Sequence, residues 1–302
     1  MPLPASVPEL AALDLLRSVV KHGSLSRAAD AHGITQPSAS SRIRTLERQL
    51  GITVLERSPT GSRLTPDGQL VARWADTVLE SAQALASGVE SLRAHQSGLL
   101  RVAASYTIAE YFLPPWLDLF LAKRPTDSVT LDVTNSRAVL ERVELGAVDI
   151  GFIESPLVPP TMSHQVIATD ELVLAVSSRH PWAATKSVDL DEFLATPLVL
   201  REPGSGTRDS LVSRLTELGH NLPRVALDLG SISAVRIAVI SGSSPTVISR
   251  LAIADDLKYG RLVEVSLPEI RIERRLHAIW SHRGELPRLA AALLQSLPSL
   301  AD

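Results

Sequence analysis

Three glycines, Gly23, Gly33 and Gly51, cut the first fifty residues into short stretches of helical periodicity. Helices this short are marginal in water by themselves, so they must bury their apolar stripes against one another. Leu10, Leu13, Leu16 and Val20 predict a first amphipathic helix with Gly23 as its C-cap. Ser24 caps a second, SLSRAADAHG, which buries Leu25, Ala28 and Ala29, and its small alanines admit another helix at close range. Gly33 stops it, Ile34 plugs the core, and Thr35 with Pro37 opens a third helix that runs to Gly51. Along that third helix Ala39, Ile43, Leu46 and Leu50 form one core-facing stripe. Opposite it lie Pro37, Ser38, Ser41, Arg44, Thr45 and Arg48, with Arg42 on the flank and Glu47 as the only acid.

The charge pattern gives that polar face a meaning. The chain carries a net charge of -3, yet between Arg17 and Arg63 there are eight basic residues against three acidic ones. A basic module on an acidic body fits a protein that meets phosphate with one end only. Two short helices joined by a tight turn, the second presenting arginines and small hydroxyls outward, describe a helix-turn-helix. The hydroxyls let the helix sink into a major groove while the arginines at its edges meet phosphates. Gln36 and Ser38 stand at its N-terminal end, where base edges are read. The stretch VLERSPTGSRLTPDG then predicts a short hairpin, a wing with Arg57 and Arg63 on its two arms. The expected duplex-DNA contacts are Arg27, Thr35, Gln36, Pro37, Ser38, Ser41, Arg42, Arg44, Arg48, Arg57 and Arg63.

The stretch GSLSRAADAHGITQPSASSRIRTLERQLGITVLERSPTGSRLTPDG resembles the LysR-type transcriptional regulators. Gly23-Ser24, Ala28-Ala29, Gln36-Pro37, Ser40, Leu46-Glu47, Leu50-Gly51, Glu56-Arg57, Leu64-Thr65 and Gly68 follow that family's pattern in order. Two positions depart from it. His32 replaces a usual leucine and reads as a core histidine with a satisfied nitrogen, and Ser41 stands where an arginine commonly follows the serine, with Arg42 next. Which of Ser41 and Arg42 makes the main groove contact stays open.

Thr65 caps, and Pro66 begins, a helix interrupted only by Gly88 before about Ser97. Its stripe of Val71, Ala75, Val78, Ala82, Leu85, Val89 and Leu92 steps alternately by four and three, a heptad seam able to pack on a second copy of itself. Two such heads at fixed separation match a two-fold DNA site. The resemblance implies a dimerising linker here, and a homodimer or homotetramer that works with RNA polymerase.

From Leu99 the pattern becomes α/β: LLRVAAS, SVTLDVT, VDIGFI, LVLAVS, PLVL, RVALDL, PTVIS and RLHAIW read as strands, with helices between most of them. The fold expectation is an N-terminal winged helix-turn-helix over 1–65, a linker helix over 66–97 and an α/β body over 98–302. The resemblance implies that this body is a two-lobed, periplasmic-binding-protein-like effector domain. Its lobes would cover about 98–168 with 268–302, and about 169–267, crossing near Thr169 and returning near Leu267.

Ligands of such sheets sit at the carboxyl ends of the strands. Ser105 and Thr107 open a helix there, Glu154 and Ser155 follow a strand, and REPGSGTR brings Gly204, Ser205, Gly206, Thr207 and Arg208. Ordinary capping explains Ser105 and Thr107 equally well, and Arg208 has the alternative of pairing with an acid. The family places small effectors between the lobes using a Ser/Thr-x-Thr motif, which Ser105 and Thr107 match; Ile108 enters the same set by position. YTIAEYFLP and GFIE resemble a branch that responds to sulfur or carbon metabolism. Glu154 in the cleft would repel a simple anion unless an arginine or a bound amine offsets it, so the effector's sign stays open.

Enzyme readings are weaker. GSGTRD has Asp209 where a dinucleotide fingerprint needs its third glycine, and neither a phosphate loop nor a Gly-x-Ser-x-Gly elbow occurs. The histidines are scattered; His277 and His282 would face opposite sides of a strand, so no metal or cofactor is expected. The alternative of a bifunctional enzyme, a winged head on a catalytic α/β domain, lacks a paired nucleophile and base. Without cysteines, without a basic N-terminal segment followed by an apolar run, and without eighteen consecutive apolar residues, the expectation is a cytoplasmic protein with no membrane partner.

Overall fold

The computed structural model describes residues 2, 4, 6–58, 61–96, 98–282 and 285–298, without the side chains of 57, 58, 61, 90–92 and 94–96. The turn residues Pro59 and Thr60, the helix limit Ser97 and the side chains of Arg57 and Leu92 therefore lie outside the described residues. The chain divides into two units, 1–86 and 87–302.

In the first unit α1 (Leu10–His22), α2 (Leu25–Ala31) and α3 (Gln36–Leu50) are followed by an antiparallel hairpin of β1 (Leu55–Ser58) and β2 (Gly61–Leu64), and then by the first part, to residue 86, of α4 (Pro66–Gln96). Gly23 and Gly51 cap α1 and α3 in the left-handed conformation, which a Cβ would strain. Thr35 Oγ1 accepts the Ser38 N–H at 3.4 Å and Thr65 Oγ1 accepts the Gly68 N–H at 2.9 Å, so these two expected caps form, whereas Ser24 takes the N-cap position of α2 without a side-chain cap bond. Ala39, Ile43 and Leu46 meet Leu13, Leu16, Ala28 and Ala29 in one core. His32 is half-buried, and its Nε2 lies 2.7 Å from the Ser18 hydroxyl.

Two apolar stripes differ from expectation. On α1, Leu10 and Val20 are exposed, while Ala12, Leu15 and Val19 are buried beside Leu13 and Leu16: the helix meets the core through a wider face, rotated from the expected one. On α4 the heptad seam is not one surface. Val71 and Ala75, with Ala72 and Leu79, complete the core of the head, whereas Val78, Leu85 and Val89 stay exposed together with Leu70 and Trp74. Three short helices cannot enclose their own core, so α4 spends its first turns covering it.

The second unit is built on a seven-stranded sheet in the order β10-β6-β11-β5-β3-β4, with β9 also on β6. Its first half holds β3 (Leu99–Ser105), α5 (Tyr106–Tyr111), α6 (Leu113–Ala122), β4 (Ser128–Thr134), α7 (Ser136–Glu144) and β5 (Ile150–Ile153). Then come β6 (Met162–Ser177), α8 (Pro181–Thr185), α9 (Leu190–Ala195), β7 (Leu198–Arg201), α10 (Gly206–Glu217), β8 (Val225–Leu229), α11 (Ile232–Ser241) and β9 (Thr246–Ser249). A short 3-10 turn, α12 (Ala254–Lys258), β10 (Leu262–Val265), β11 (Ile272–Ser281) and α13 (Arg288–Ser296) complete it. The strands β7 and β8 form a separate parallel pair.

Separate cores make two lobes. In one, Leu113, Trp116, Phe120, Leu289 and Leu293 pack on the sheet around Leu100 and Phe152. In the other, Trp182, Phe193, Leu211 and Leu215 cover one side and Val235, Val239 and Ile253 the other. The strands β6 and β11 pair antiparallel along ten positions and run through both lobes. The sequence pattern places β6 only at 172–177, whereas the strand begins at Met162: its first half carries Ser163, His164, Gln165, Thr169 and Asp170 and lacks a long apolar run. The strand β10 escapes the same pattern, since Glu264 interrupts it and pairs with Arg250. Among the described residues no helix is long and apolar enough to cross a membrane.

A close backbone approach fixes the start of α4. A Cβ on Gly68 would stand 2.1 Å from the Val54 carbonyl oxygen, whereas one on Gly88 would meet nothing within 4 Å. Gly68→Ala should therefore destabilise the head by about 1–3 kcal/mol through overpacking. Gly88→Ala should stabilise α4 by up to about 1 kcal/mol. Urea unfolding checks both, and equal shifts of one sign would contradict the close approach.

Candidate nucleic-acid interface and interlobe site

On α3 the outward face is as polar as its spacing requires. Gln36, Pro37, Ser38, Ser41, Arg44, Thr45 and Arg48 are exposed and Arg42 is half-buried on the flank. Glu47, the one acid, is not on that face. Its Oε1 accepts the N–H groups of Val54 at 2.9 Å and Leu55 at 3.2 Å, tying α3 to the first arm of the wing. The exposed surface of the helix is thus free of carboxylates, and the same side chain that would have opposed phosphate orients the wing instead. Thr35 is exposed and shares a 2.9 Å hydroxyl contact with Ser38. Arg63 is exposed on β2 opposite Glu56, and Arg27 is exposed on α2.

In the α/β body the three sequence stretches singled out above converge. Ser105, Thr107, Glu154, Ser155, Ser205, Gly206 and Thr207 are all buried. The group that joins them is Arg274 on β11, itself only 4% exposed. Its Nη1 donates to Thr207 Oγ1 at 3.0 Å and its Nη2 to Thr107 Oγ1 at 3.3 Å, one threonine from each lobe. Nε and Nη2 bind Asp170 Oδ2 at 2.8 and 2.6 Å, and Nη1 lies 3.6 Å from Glu154 Oε1. Ser249 Oγ donates to Asp170 Oδ1 at 2.9 Å and Ser105 Oγ to Glu154 Oε2 at 3.1 Å, so each carboxylate has a hydroxyl as well as the guanidinium. Ser105 occupies the N-cap position of α5 without capping it: its hydroxyl serves Glu154.

Other contacts also cross between the lobes. Asn135 caps α7 through its carbonyl, and its Nδ2 donates to Glu202 Oε1 at 3.2 Å. The Arg137 N–H donates to the Gly204 carbonyl at 3.1 Å. A Cβ on Gly206 would stand 2.5 Å from Glu154 Cγ, so only glycine lets these backbones approach. Arg201 grips Glu202 with two nitrogens at 2.8 and 2.9 Å and lies 4.6 Å over the Tyr106 ring. Burial pushes the Glu202 carboxyl up, but the Arg201 hydrogen bond and charge, with the Asn135 amide, outweigh it and hold the group below the usual carboxylate range.

Two expected ligand residues are engaged elsewhere. Arg208 donates to Asp228 Oδ2 at 2.8 Å and to the Arg201 carbonyl at 3.1 Å, so the simple acid pair describes it and its charge is already answered. The Ile108 side chain is fully buried in the lobe core with Leu100 and Phe152, where α5 packs on the sheet. Ser205 Oγ is buried and has no hydrogen-bond partner among the described residues. The sequence reading missed Arg274 and Asp170. It also treated the histidines as scattered, while β6 and β11 bring the rings of His164 and His277 to 5.3 Å. Among the described residues no group of three or more His, Asp or Glu is placed to hold a metal ion.

Removing one partner of a buried pair strands a charge, at a cost of about 3–5 kcal/mol. Asp170→Ala should lower stability by that amount in chemical denaturation, and a loss below about 1 kcal/mol would contradict the pairing. Glu202 contributes its stabilisation above the ordinary carboxylate range, and the contribution is lost as pH falls through its lower folded value. Glu202→Gln should flatten the acid limb of the stability–pH curve, and an unchanged limb would remove Glu202 from that role.

Residues 93–301 match the family profile described as the LysR substrate binding domain, and residues 10–69 match that of the bacterial regulatory helix-turn-helix protein, lysR family. An uncharacterized HTH-type transcriptional regulator of Mycobacterium tuberculosis is 41% identical over 292 residues, covering 93% of each chain. The HTH-type transcriptional regulator CysL of Bacillus subtilis is 30% identical over 264 residues, 87% of this chain and 88% of its own. Among solved structures, the CcmR regulatory domain of Synechocystis in complex with 2-PG aligns at a TM-score of 0.60 and 25% identity, covering 67% of this chain and 99% of that one. Full-length CbnR complexed with its target DNA aligns at 0.58 and 21% identity over 96% of this chain and 98% of its own, a likeness of fold.

Proposed function

The chain belongs to the LysR family of bacterial transcriptional regulators, and from that premise we propose that it reads duplex DNA with the outer face of α3 and takes a small-molecule effector between the lobes of its α/β body. The observation that carries the reading is the acid-free face of α3, with Gln36 and Ser38 at its exposed N-terminal end and Arg44 and Arg48 beyond them. Hydroxyls and a glutamine there reach base edges, while the arginines anchor on phosphate. Thr35, Pro37, Ser41, Arg42, Arg27, Arg57 and Arg63 complete the proposed contact set.

The proposed organisation is a winged head over 1–65, a linker over 66–97 and an effector domain over 98–302, with lobes of about 98–168 plus 268–302 and about 169–267. The exposed Leu70, Trp74, Val78, Leu85 and Val89 supply an apolar face for a second copy, giving a homodimer or homotetramer that holds two heads at a set spacing. The presence of 2-PG in the aligned CcmR regulatory domain supports a small-molecule effector here. We place it among Ser105, Thr107, Glu154, Ser155, Gly204, Ser205, Gly206 and Thr207, and add Arg274 and Asp170. Arg208 is left out of this set because Asp228 answers its charge. A ligand that prefers one lobe closure over the other shifts the population of the two and with it the spacing of the heads. The body binds and does not catalyse, and the protein works where DNA and RNA polymerase are, in the cytoplasm.

Arg44→Ala and Arg48→Ala should each weaken binding to every sequence and reduce the log–log salt slope by about 1. Gln36→Ala should instead alter base preference, with about 1–3 kcal/mol lost on the preferred site alone. Fluorescence anisotropy across salt concentrations and a randomised site library measures both; a uniform loss from Gln36→Ala would remove it as a reader. For the effector, Thr107→Val should abolish the ligand response of a promoter reporter while DNA affinity is retained. A surviving response would put the effector elsewhere.

A further inference from the structure

Arg274 also borders a cavity of about 620 Å³, walled by α10, the first half of β11 and Pro156, the residue after Ser155. Ser105, Thr107, Glu154, Ser205 and Thr207 do not line it. Four arginines and two glutamates do, with Ser210, Ser213 and His277 between them. Its volume falls in the range of small-molecule sites.

The charges in this cavity are unevenly satisfied. Arg274 is held by Asp170 and Glu154, outside the cavity wall. Arg214 and Arg271 face Glu217 and Glu273 at 3.1 and 3.7 Å, in exposed pairs that water screens and that a ligand can displace. Arg275 is exposed and has no ion-pair partner among the described residues. His277 is about nine-tenths buried, and its Nδ1 is buried without a hydrogen-bond partner among the described residues. Native structures rarely leave such an atom unpaired. Burial, then His164 and then Arg275, hold this imidazole below the usual histidine range, and an anion would offset the neighbouring cations.

We propose that this cavity is a second ligand site, distinct from the cluster of Ser105, Thr107, Glu154, Ser205 and Thr207, for a small anionic metabolite bearing phosphate or carboxylate groups, with Arg275, Arg214 and His277 as its principal contacts. An anion there stands one guanidinium away from Asp170, Thr107 and Thr207. Its occupancy is therefore transmitted to the cleft through Arg274, without contact with the cleft ligand.

Calorimetric titration of the full-length protein with inorganic phosphate, and separately with malonate, tests this. Saturable binding of either probe is expected, the stronger one identifying the head group. Arg275→Ala, a surface change that leaves the core intact, should weaken it about tenfold, the loss of one charge-assisted hydrogen bond. Thr107→Val should retain it. Histidine-selective NMR should show the His277 titration moving to higher pH as the probe saturates. Absence of saturable binding overturns the proposal. So does binding weakened as much by Thr107→Val as by Arg275→Ala, which would place the anion among Ser105, Thr107 and Thr207, or a His277 titration unmoved at saturation.

Discussion

A single buried guanidinium, that of Arg274, binds Thr107, Thr207, Asp170 and Glu154 at once. Its flat fork of donors suits this arrangement in a way a lysine's point charge would not. The two threonines belong to different lobes and Asp170 lies on the other crossing strand, so the pair that satisfies the charge also sets the distance between the lobes. The buried carboxylates depend on it in return, because neither can be left ionised in such a place without a counter-charge. The contact of Gly206 with Glu154 and the Asn135–Glu202 hydrogen bond tighten the same closure around it.

This arrangement bears on the sign of the effector. Glu154 does not face the cleft as a bare negative charge, since Arg274 lies 3.6 Å away and Ser105 donates to it. Arg274 is nevertheless committed more closely to Asp170. A ligand entering here competes for donors already in use, and the energy it gains is the difference between its own hydrogen bonds and those it displaces. Entry of a ligand and rearrangement of the lobes are therefore one event in this site.

The head was largely legible in the sequence, because each of its signals is local: Thr35 capping α3, glycines ending helices, and a 3.6-residue stripe. The α4 seam misled because a regular repeat does not say which partner each part covers, and here the first turns cover the head's own core. In the body, strand patterns were found in the buried IGFI and in the largely solvated SVTLDVT alike, and missed where polar residues such as His164, Gln165, Thr169 and Asp170 interrupt the apolar run, as in the first half of β6. The recognition stretches were found singly, yet the residue that unites them was not. A signal for it existed: Ile272, Arg274 and Leu276 alternate on one face of β11, and Ala168, Asp170 and Leu172 on one face of β6. A charge at an inward position of each of two strands calls for an opposite charge, but only the long-range register that pairs Arg274 with Asp170 names it.

Arg274 ties the two lobes to each other by donating to Thr107 and Thr207 at once. Hydrogen–deuterium exchange on wild type and Arg274→Lys tests it, because lysine keeps the charge and loses the fork. Faster exchange of the amides at 135–139 and at 204–209 together, with the head unchanged, is the predicted result. Acceleration in one lobe alone, or in neither, would contradict it.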